Sequence, residues 1–308
     1  MRGFVTDPSG RAGLRLADDL PEPEPAPGEF LLGVQAYAIN HDEINLIRRR
    51  SDSWRPGQDT AGTVLRGAAD GSGPPVGARV AAYLDGKGWA ERVAVPTHRA
   101  AVLEDRVSFE QAATLPIAGL TALRALRAAG AVLGRDVLVT GATGGVGQFA
   151  VQLAVGSGAR VTAHVSRPGR RAEALELGAH EAVTSLDGED LGPFHAVLDG
   201  IGGQLTAQAV RRMAPGGTLA WYGNIGGTVD LRLADFYGQA WNAHVVGFIS
   251  PDPDETKGED LAILAALVAD GRLIPRIGLT LRWEQTPEAL ETLARGEIRG
   301  KAVLTLPA

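Results

Sequence analysis

Seven residues carry the densest chemical signal in the chain: Gly141-Ala142-Thr143-Gly144-Gly145-Val146-Gly147. Ahead of them, Asp136-Val-Leu-Val-Thr140 holds a short apolar run of the kind that forms a buried strand. Behind them, Val146, Phe149, Ala150, Leu153 and Ala154 trace one face of a helix. A helix that starts at a glycine turn presents unpaired N–H groups and the positive end of its dipole. Glycine also lets a pyrophosphate reach the backbone. The dinucleotide fingerprint G-x-G-x-x-G falls on Ala142, Gly144 and Gly147, so its first position departs from glycine. A glycine triplet also serves a bare tight turn. The strand on one side and the helix on the other favour a nucleotide.

The next extended segment, Ala159–Val165, tests that reading. An NAD site expects Asp or Glu at its end, to hold the ribose 2′-hydroxyl. The chain has Ser166-Arg167-Pro168-Gly169-Arg170-Arg171 there instead. Three arginines and no acid suit the 2′-phosphate of NADP, which a guanidinium grips in a bidentate fork. A solvated basic turn is the competing explanation, but arginines at a helix start work against the dipole.

The elements that position these residues follow from the chain's texture. Through residue 110 it reads as short strands: Phe30–Ile39, Thr63–Leu65, Arg79–Tyr83 and Trp89–Val95. Glycine and proline punctuate them at 56–57, 71–75 and 86–88, which predicts a β-rich, barrel-like domain. Phe109–Ala129 reads as helix interrupted by Pro116 and Gly119. From Val137 strands and helices alternate. Helix 170–177 stops at Gly178, then come strand Phe194–Asp199, helix 204–213 and strand Thr218–Tyr222. Such βαβ repetition predicts a doubly wound parallel sheet whose ligand lies beyond the carboxyl ends of the strands. The loops Gly200–Gly203 and Gly223–Gly227 fall at those ends, with glycines suited either to close approach of a cofactor or to plain turns. The tail holds helices 260–269 and 287–295 and a strand, Lys301–Leu306, which suits the first domain.

Bulk properties narrow the class. The chain has 308 residues, enough for two domains, and a net charge of −6, so no partnership with nucleic acid or an anionic membrane is expected. There is no cysteine, which removes disulfides, thiolate nucleophiles and Cys-based zinc sites together. No apolar leader or bilayer-length segment is seen, so the expected location is the cytoplasm.

Several motifs in order now carry a family resemblance. Asn40-His-Asp-Glu43, Pro56-Gly-Gln-Asp-Thr-Ala-Gly-Thr-Val64, Leu115-Pro-Ile-Ala-Gly-Leu-Thr-Ala122, Ala142-Thr-Gly-Gly-Val-Gly147 with Gln152-Leu-Ala154, and Gly300-Lys-Ala-Val-Leu304 stand in sequence. Together they resemble the zinc-independent medium-chain dehydrogenase/reductases, the quinone oxidoreductase and enoyl reductase branch, over essentially the whole chain. In that family alanine at the first fingerprint position is the norm. The resemblance implies an α/β protein with a GroES-like β-rich catalytic domain, residues 1–114 and 247–308, and a Rossmann domain, residues 115–246. It implies that Gly144, Gly145 and Val146 carry the pyrophosphate and that Ser166 and Arg170, with Arg167 beside them, hold the 2′-phosphate. Asn40, Thr121, Gly223, Asn224, Phe248 and Lys301 would line the cofactor. A homodimer is implied as well.

The departures bear on mechanism. The Gly-His-Glu position of zinc-dependent relatives reads Gly57-Gln58-Asp59, so no metal is expected. The tyrosine expected five residues after Asn40 is Asn45, and the one expected after the third Rossmann strand is Ser185. The expected reaction is hydride transfer from NADPH to an electron-poor C=C of a small molecule, with Asn40 and Asn45 as candidate catalytic donors. Tyr237 and Trp241 are candidate substrate-pocket aromatics, or ordinary core or interface aromatics. A quinone reductase, a non-catalytic NADPH-binding regulator and a zinc alcohol dehydrogenase are the competing readings; ligand identity opposes the last.

Overall fold

Glu29–Ile39 alternates half-buried and buried residues over most of its length, the period-two pattern of a strand with one face on a core. It forms the spine of the first of two large sheets. The structure, a computed structural model, describes residues 1–188, 191–248 and 254–307. The chain clusters into two compact units, Met1–Leu120 with Pro253–Ala308, and Thr121–Asp252.

The first unit begins with an antiparallel hairpin of β1 (Gly3–Thr6) and β2 (Leu14–Ala17). Then come β3 (Glu29–Ile39), α1 (His41–Arg49), β4 (Asp59–Arg66), β5 (Arg79–Tyr83), β6 (Arg92–Pro96), β7 (Ala100–Val102) and α2 (Phe109–Ala113). β3 pairs antiparallel with both β4 and β6, β4 with β5, and β5 with β7. The helical stretch predicted for 109–129 breaks where Pro116 and Gly119 stand. A π-helical turn, Leu115–Gly119, separates α2 from α3 (Leu120–Ala128), because proline cannot donate the amide an unbroken helix needs.

The second unit is one six-stranded parallel sheet. Its elements in order are β8 (Asp136–Val139), α4 (Gly147–Gly156), β9 (Arg160–His164), α5 (Arg171–Glu176), β10 (Glu181–Val183), β11 (Phe194–Asp199), α6 (Gly203–Arg211), β12 (Met213–Trp221) and β13 (His244–Gly247). The strand order β10-β9-β8-β11-β12-β13 is that of a doubly wound dinucleotide-binding sheet. The order reverses between β8 and β11, which opens a crevice at the carboxyl ends of those strands. Leu138, Phe194, Val197 and Leu219 build the core beneath it.

The last segment supplies α7 (Lys257–Ala269), β14 (Ile277–Arg282), α8 (Thr286–Ala294) and β15 (Lys301–Thr305). β15 pairs parallel with β14 and antiparallel with β3, so the two ends of the chain share one sheet. Its core stacks Tyr37 on Trp89 at 5.6 Å and sets Phe4 edge-on to Trp283 at 5.9 Å. The buried Tyr37 hydroxyl is paired with Thr286 Oγ1 at 2.6 Å, as a buried phenol requires. Among the described residues no helix is long and apolar enough to cross a membrane. The β1–β2 hairpin, α1, β7, β13 and β14 were not anticipated. Most are short, and α1 is dominated by charged residues with apolar positions only at Ile44, Leu46 and Ile47.

Candidate cofactor and active site

In the second unit, the predicted strand–turn–helix is present. β8 ends at Val139, and Gly141–Val146 turns into α4. The turn is held by hydrogen bonds from the Ala142 amide to His164 O, 3.1 Å, and from the Gly144 amide to Gly141 O, 2.9 Å. Among the described residues the Gly145 and Val146 amides donate to nothing. These are the donors an incoming phosphate would take. Gly147 is required by packing: a Cβ there would lie 2.2 Å from Gly141 O and 2.8 Å from Ala142 Cα, both backbone.

At the end of β9, Ser166 and Arg167 are exposed and no acid is present. Arg170 is half-buried and folds back onto the turn, its Nη1 3.5 Å from Thr143 Oγ1. Arg170 thus stands beside the glycine turn. Thr143, which the sequence did not single out, is the link.

Past the crevice, the two glycine loops approach each other. A Cβ at Gly223 would fall 2.1 Å from Gly200 O, and one at Gly202 would fall 2.8 Å from Asn224 Oδ1. The Gly226 amide donates to Ile201 O at 2.7 Å. So Gly202, Gly203, Gly223 and Gly226 allow close loop-to-loop contact. The buried Asp199 ties this layer together. Its carboxylate accepts from Thr140 Oγ1 and Thr206 Oγ1, both at 2.5 Å, and from the Ile201 amide at 3.1 Å. An acid closing an apolar strand just before Gly-Ile-Gly-Gly was the available signal for it. Phe248 is half-buried just after β13, its amide on Trp221 O at 2.8 Å. Thr121 is buried in the first turn of α3.

In the first unit, Asn40 and Lys301 meet around Asp59, the acid of the Pro56–Val64 motif. Asp59 is fully buried; its Oδ2 accepts from Asn40 Nδ2 at 2.9 Å and Lys301 Nζ at 3.1 Å, and its Oδ1 accepts from the Ile117 amide at 2.7 Å. Lys301, equally buried, also donates to Asn40 Oδ1 at 2.5 Å and Ile39 O at 3.1 Å. All three ammonium hydrogens are therefore used. Glu43, also buried, accepts from the Asn40 amide at 2.9 Å and the Gln58 amide at 3.1 Å. Burial, and after it the charges of Asp42 and Asp59, push the Glu43 carboxyl well above its usual range. Asn40 is thus clamped at the N-terminus of α1 with its side-chain amide in one orientation, one N–H remaining.

Other named residues lie elsewhere. Asn45 is exposed on α1 and takes no part in this cluster. Tyr237 and Trp241 are 65% and 59% exposed on the second unit. Among the described residues, no three His, Asp or Glu side chains converge as a metal ligand set.

Comparison with known proteins agrees with this architecture. The zinc-binding dehydrogenase family matches residues 145–266. The spectinabilin polyketide synthase system protein NorB of Streptomyces orinoci is 33% identical over 99% of the chain, which spans 15% of NorB's length. The quinone oxidoreductase of Homo sapiens is 27% identical, with 95% of this chain and 94% of that one aligned. The mycobacterial protein Rv1454c, solved in complex with NADPH, superposes with a TM-score of 0.86 at 25% identity, covering 99% of this chain and 100% of that one. With the doubly wound sheet, the glycine turn and the mixed sheet shared by both chain ends, these likenesses identify an oxidoreductase fold: the chain belongs to the medium-chain dehydrogenase/reductases, in the quinone oxidoreductase branch.

Proposed function

We propose that the protein is an NADPH-dependent, zinc-independent reductase that delivers hydride to an activated C=C, in an enone or an enoyl thioester. The observation that carries this is the pairing of a glycine turn bearing two open amides with Arg170 folded onto it, and no acid at the end of β9. Gly144, Gly145 and Val146 would take the pyrophosphate and Arg170, with Ser166 and Arg167, the 2′-phosphate. The NADPH complex of a mycobacterial relative supports the same cofactor, and the likeness to a polyketide synthase protein favours an enoyl thioester.

Bound NADPH supplies the hydride; the chain supplies orientation and charge stabilisation. The oxygen conjugated to the C=C gains charge as hydride arrives and needs a donor. Asn40 has a free N–H held in a fixed direction by Asp59 and Lys301. Asn45 is the second candidate donor, and water delivers the proton. Zinc independence rests on ligand identity, since the chain has no cysteine and Gln58-Asp59 replaces His-Glu.

The partner is a small molecule, and the assembly is a homodimer built through the outer edge of β13. β13 is an edge strand with His244, Val246 and Gly247 exposed, and Ile225, Leu233, Tyr237 and Trp241 lie exposed in the segment leading to it. Exposure on that segment favours an interface role for Tyr237 and Trp241 over a pocket role.

An acceptor screen tests the reading. NADPH deuterated at C4 should transfer deuterium to the β-carbon of an enone or enoyl thioester, in zinc-free protein, with no loss to a chelator. Turnover confined to quinones would move the assignment to quinone reductase. NADPH binding without turnover of any acceptor would make the protein a cofactor-binding regulator.

A further inference from the structure

The Tyr222 hydroxyl, immediately after β12, is buried, and no described residue offers it a hydrogen bond. Its ring lies against Gly200: a Cβ on that residue would be 2.7 Å from Tyr222 Cε2 and 3.4 Å from the hydroxyl oxygen. The Tyr222 amide is fixed on Asp199 O at 2.9 Å. Burial, and after it the Asp199 charge, push the phenol pKa up, so at neutral pH it is a donor. A buried hydroxyl without a partner is costly, and phenylalanine would fill the same space without that cost. The sequence therefore retains an oxygen that the described residues leave unpaired.

Its place in the sheet says what would pair with it. The strand order reverses at β8, with β9 on one side and β11 then β12 on the other. Arg170, on the β9 side, marks the adenosine 2′-phosphate. A dinucleotide laid across the crevice therefore puts its other half over β11 and β12. The geometry points to Tyr222 as a cofactor-binding residue whose hydroxyl donates to the nicotinamide riboside half of NADPH, at its carboxamide or ribose oxygens. This assignment rests on the NADPH reading and extends it to the opposite end of the cofactor.

Tyr222→Phe separates the possibilities by equilibrium binding and melting, without any assay of turnover. The variant without ligand should melt about 2 °C or more above the parent, because it sheds an unpaired buried hydroxyl. Its NADPH dissociation constant should rise about tenfold. Its affinity for 2′,5′-ADP, which lacks the nicotinamide half, should not change, and that unchanged binding shows the sheet edge intact. Arg170→Ala should weaken both ligands. Unchanged NADPH affinity in Tyr222→Phe, or equal weakening of NADPH and 2′,5′-ADP, would overturn the assignment of Tyr222. Failure of the parent protein to bind NADPH would instead overturn the cofactor reading beneath it.

Discussion

Asp59→Ala should cost about 3–5 kcal/mol of unfolding free energy, the range for removing one partner of a buried ion pair. Lys301 would keep Ile39 O and Asn40 Oδ1 but lose the carboxylate it is paired with, in a site where its side chain is 3% exposed. The Ile117 amide and Asn40 Nδ2 would lose their acceptor in the same stroke, and each unpaired buried donor adds to the cost. Replacing both charges, Asp59→Leu with Lys301→Met, should recover most of the loss, since a well-packed apolar pair avoids the desolvation penalty altogether. The recovered protein should still bind NADPH but turn over acceptors poorly, because Asn40 no longer has its two anchors. Urea unfolding of the parent and the two variants measures this. A loss under about 1 kcal/mol for Asp59→Ala would mean that the cluster is solvated and that Asn40 is not held as described.

Gly147→Ala should be severely damaging to the second unit. Its methyl group would meet three backbone atoms, one at 2.2 Å and two at 2.8 Å, so the turn and not a flexible side chain must move. Overpacking of this kind costs about 1–3 kcal/mol, at times more. Displacing the Gly145 and Val146 amides would remove two charge-assisted hydrogen bonds to phosphate, each about 1.5–3 kcal/mol, hence at least a hundredfold in NADPH affinity. Gly144→Ala is the informative companion. Its Cβ would meet only Gly141 O, at 3.1 Å, so stability should fall less while binding still suffers, because the methyl stands where the pyrophosphate approaches. Thermal melting with and without NADPH resolves the two. Equal loss of stability in both variants with binding intact would show that the turn is only a turn.

What was legible in the sequence was local. The β8–turn–α4 unit announces itself because a buried strand, a glycine turn and a helical period fall within about twenty residues. The arginines after β9 were readable for the same reason. The break at Pro116 needed only proline's missing amide. The polar cluster of the first unit was not legible, because Lys301 and Asp59 stand 242 residues apart and no period links them. Motif resemblance touched Asn40, Asp59 and Lys301 in three separate motifs, and only the fold brings the three together. The short edge strand β13 was missed: its four residues, His-Val-Val-Gly, carry too little pattern. Tyr222 lay beyond reach, since whether a buried hydroxyl has a partner depends on every neighbour at once. The glycines of the two carboxyl-edge loops suited either a ligand or plain turns, and the close approach of one loop to the other at Gly202 and Gly223 was beyond any local pattern.

Arg170, beside the glycine turn, is the residue proposed to select NADPH. Calorimetric titration of the parent and Arg170→Ala with NADPH and NADH tests that role most directly. The parent should bind NADPH at least tenfold more tightly than NADH, and Arg170→Ala should lose that margin while its NADH affinity stays the same. Equal affinity of the parent for both nucleotides, or an Arg170→Ala variant that keeps its preference, would contradict it.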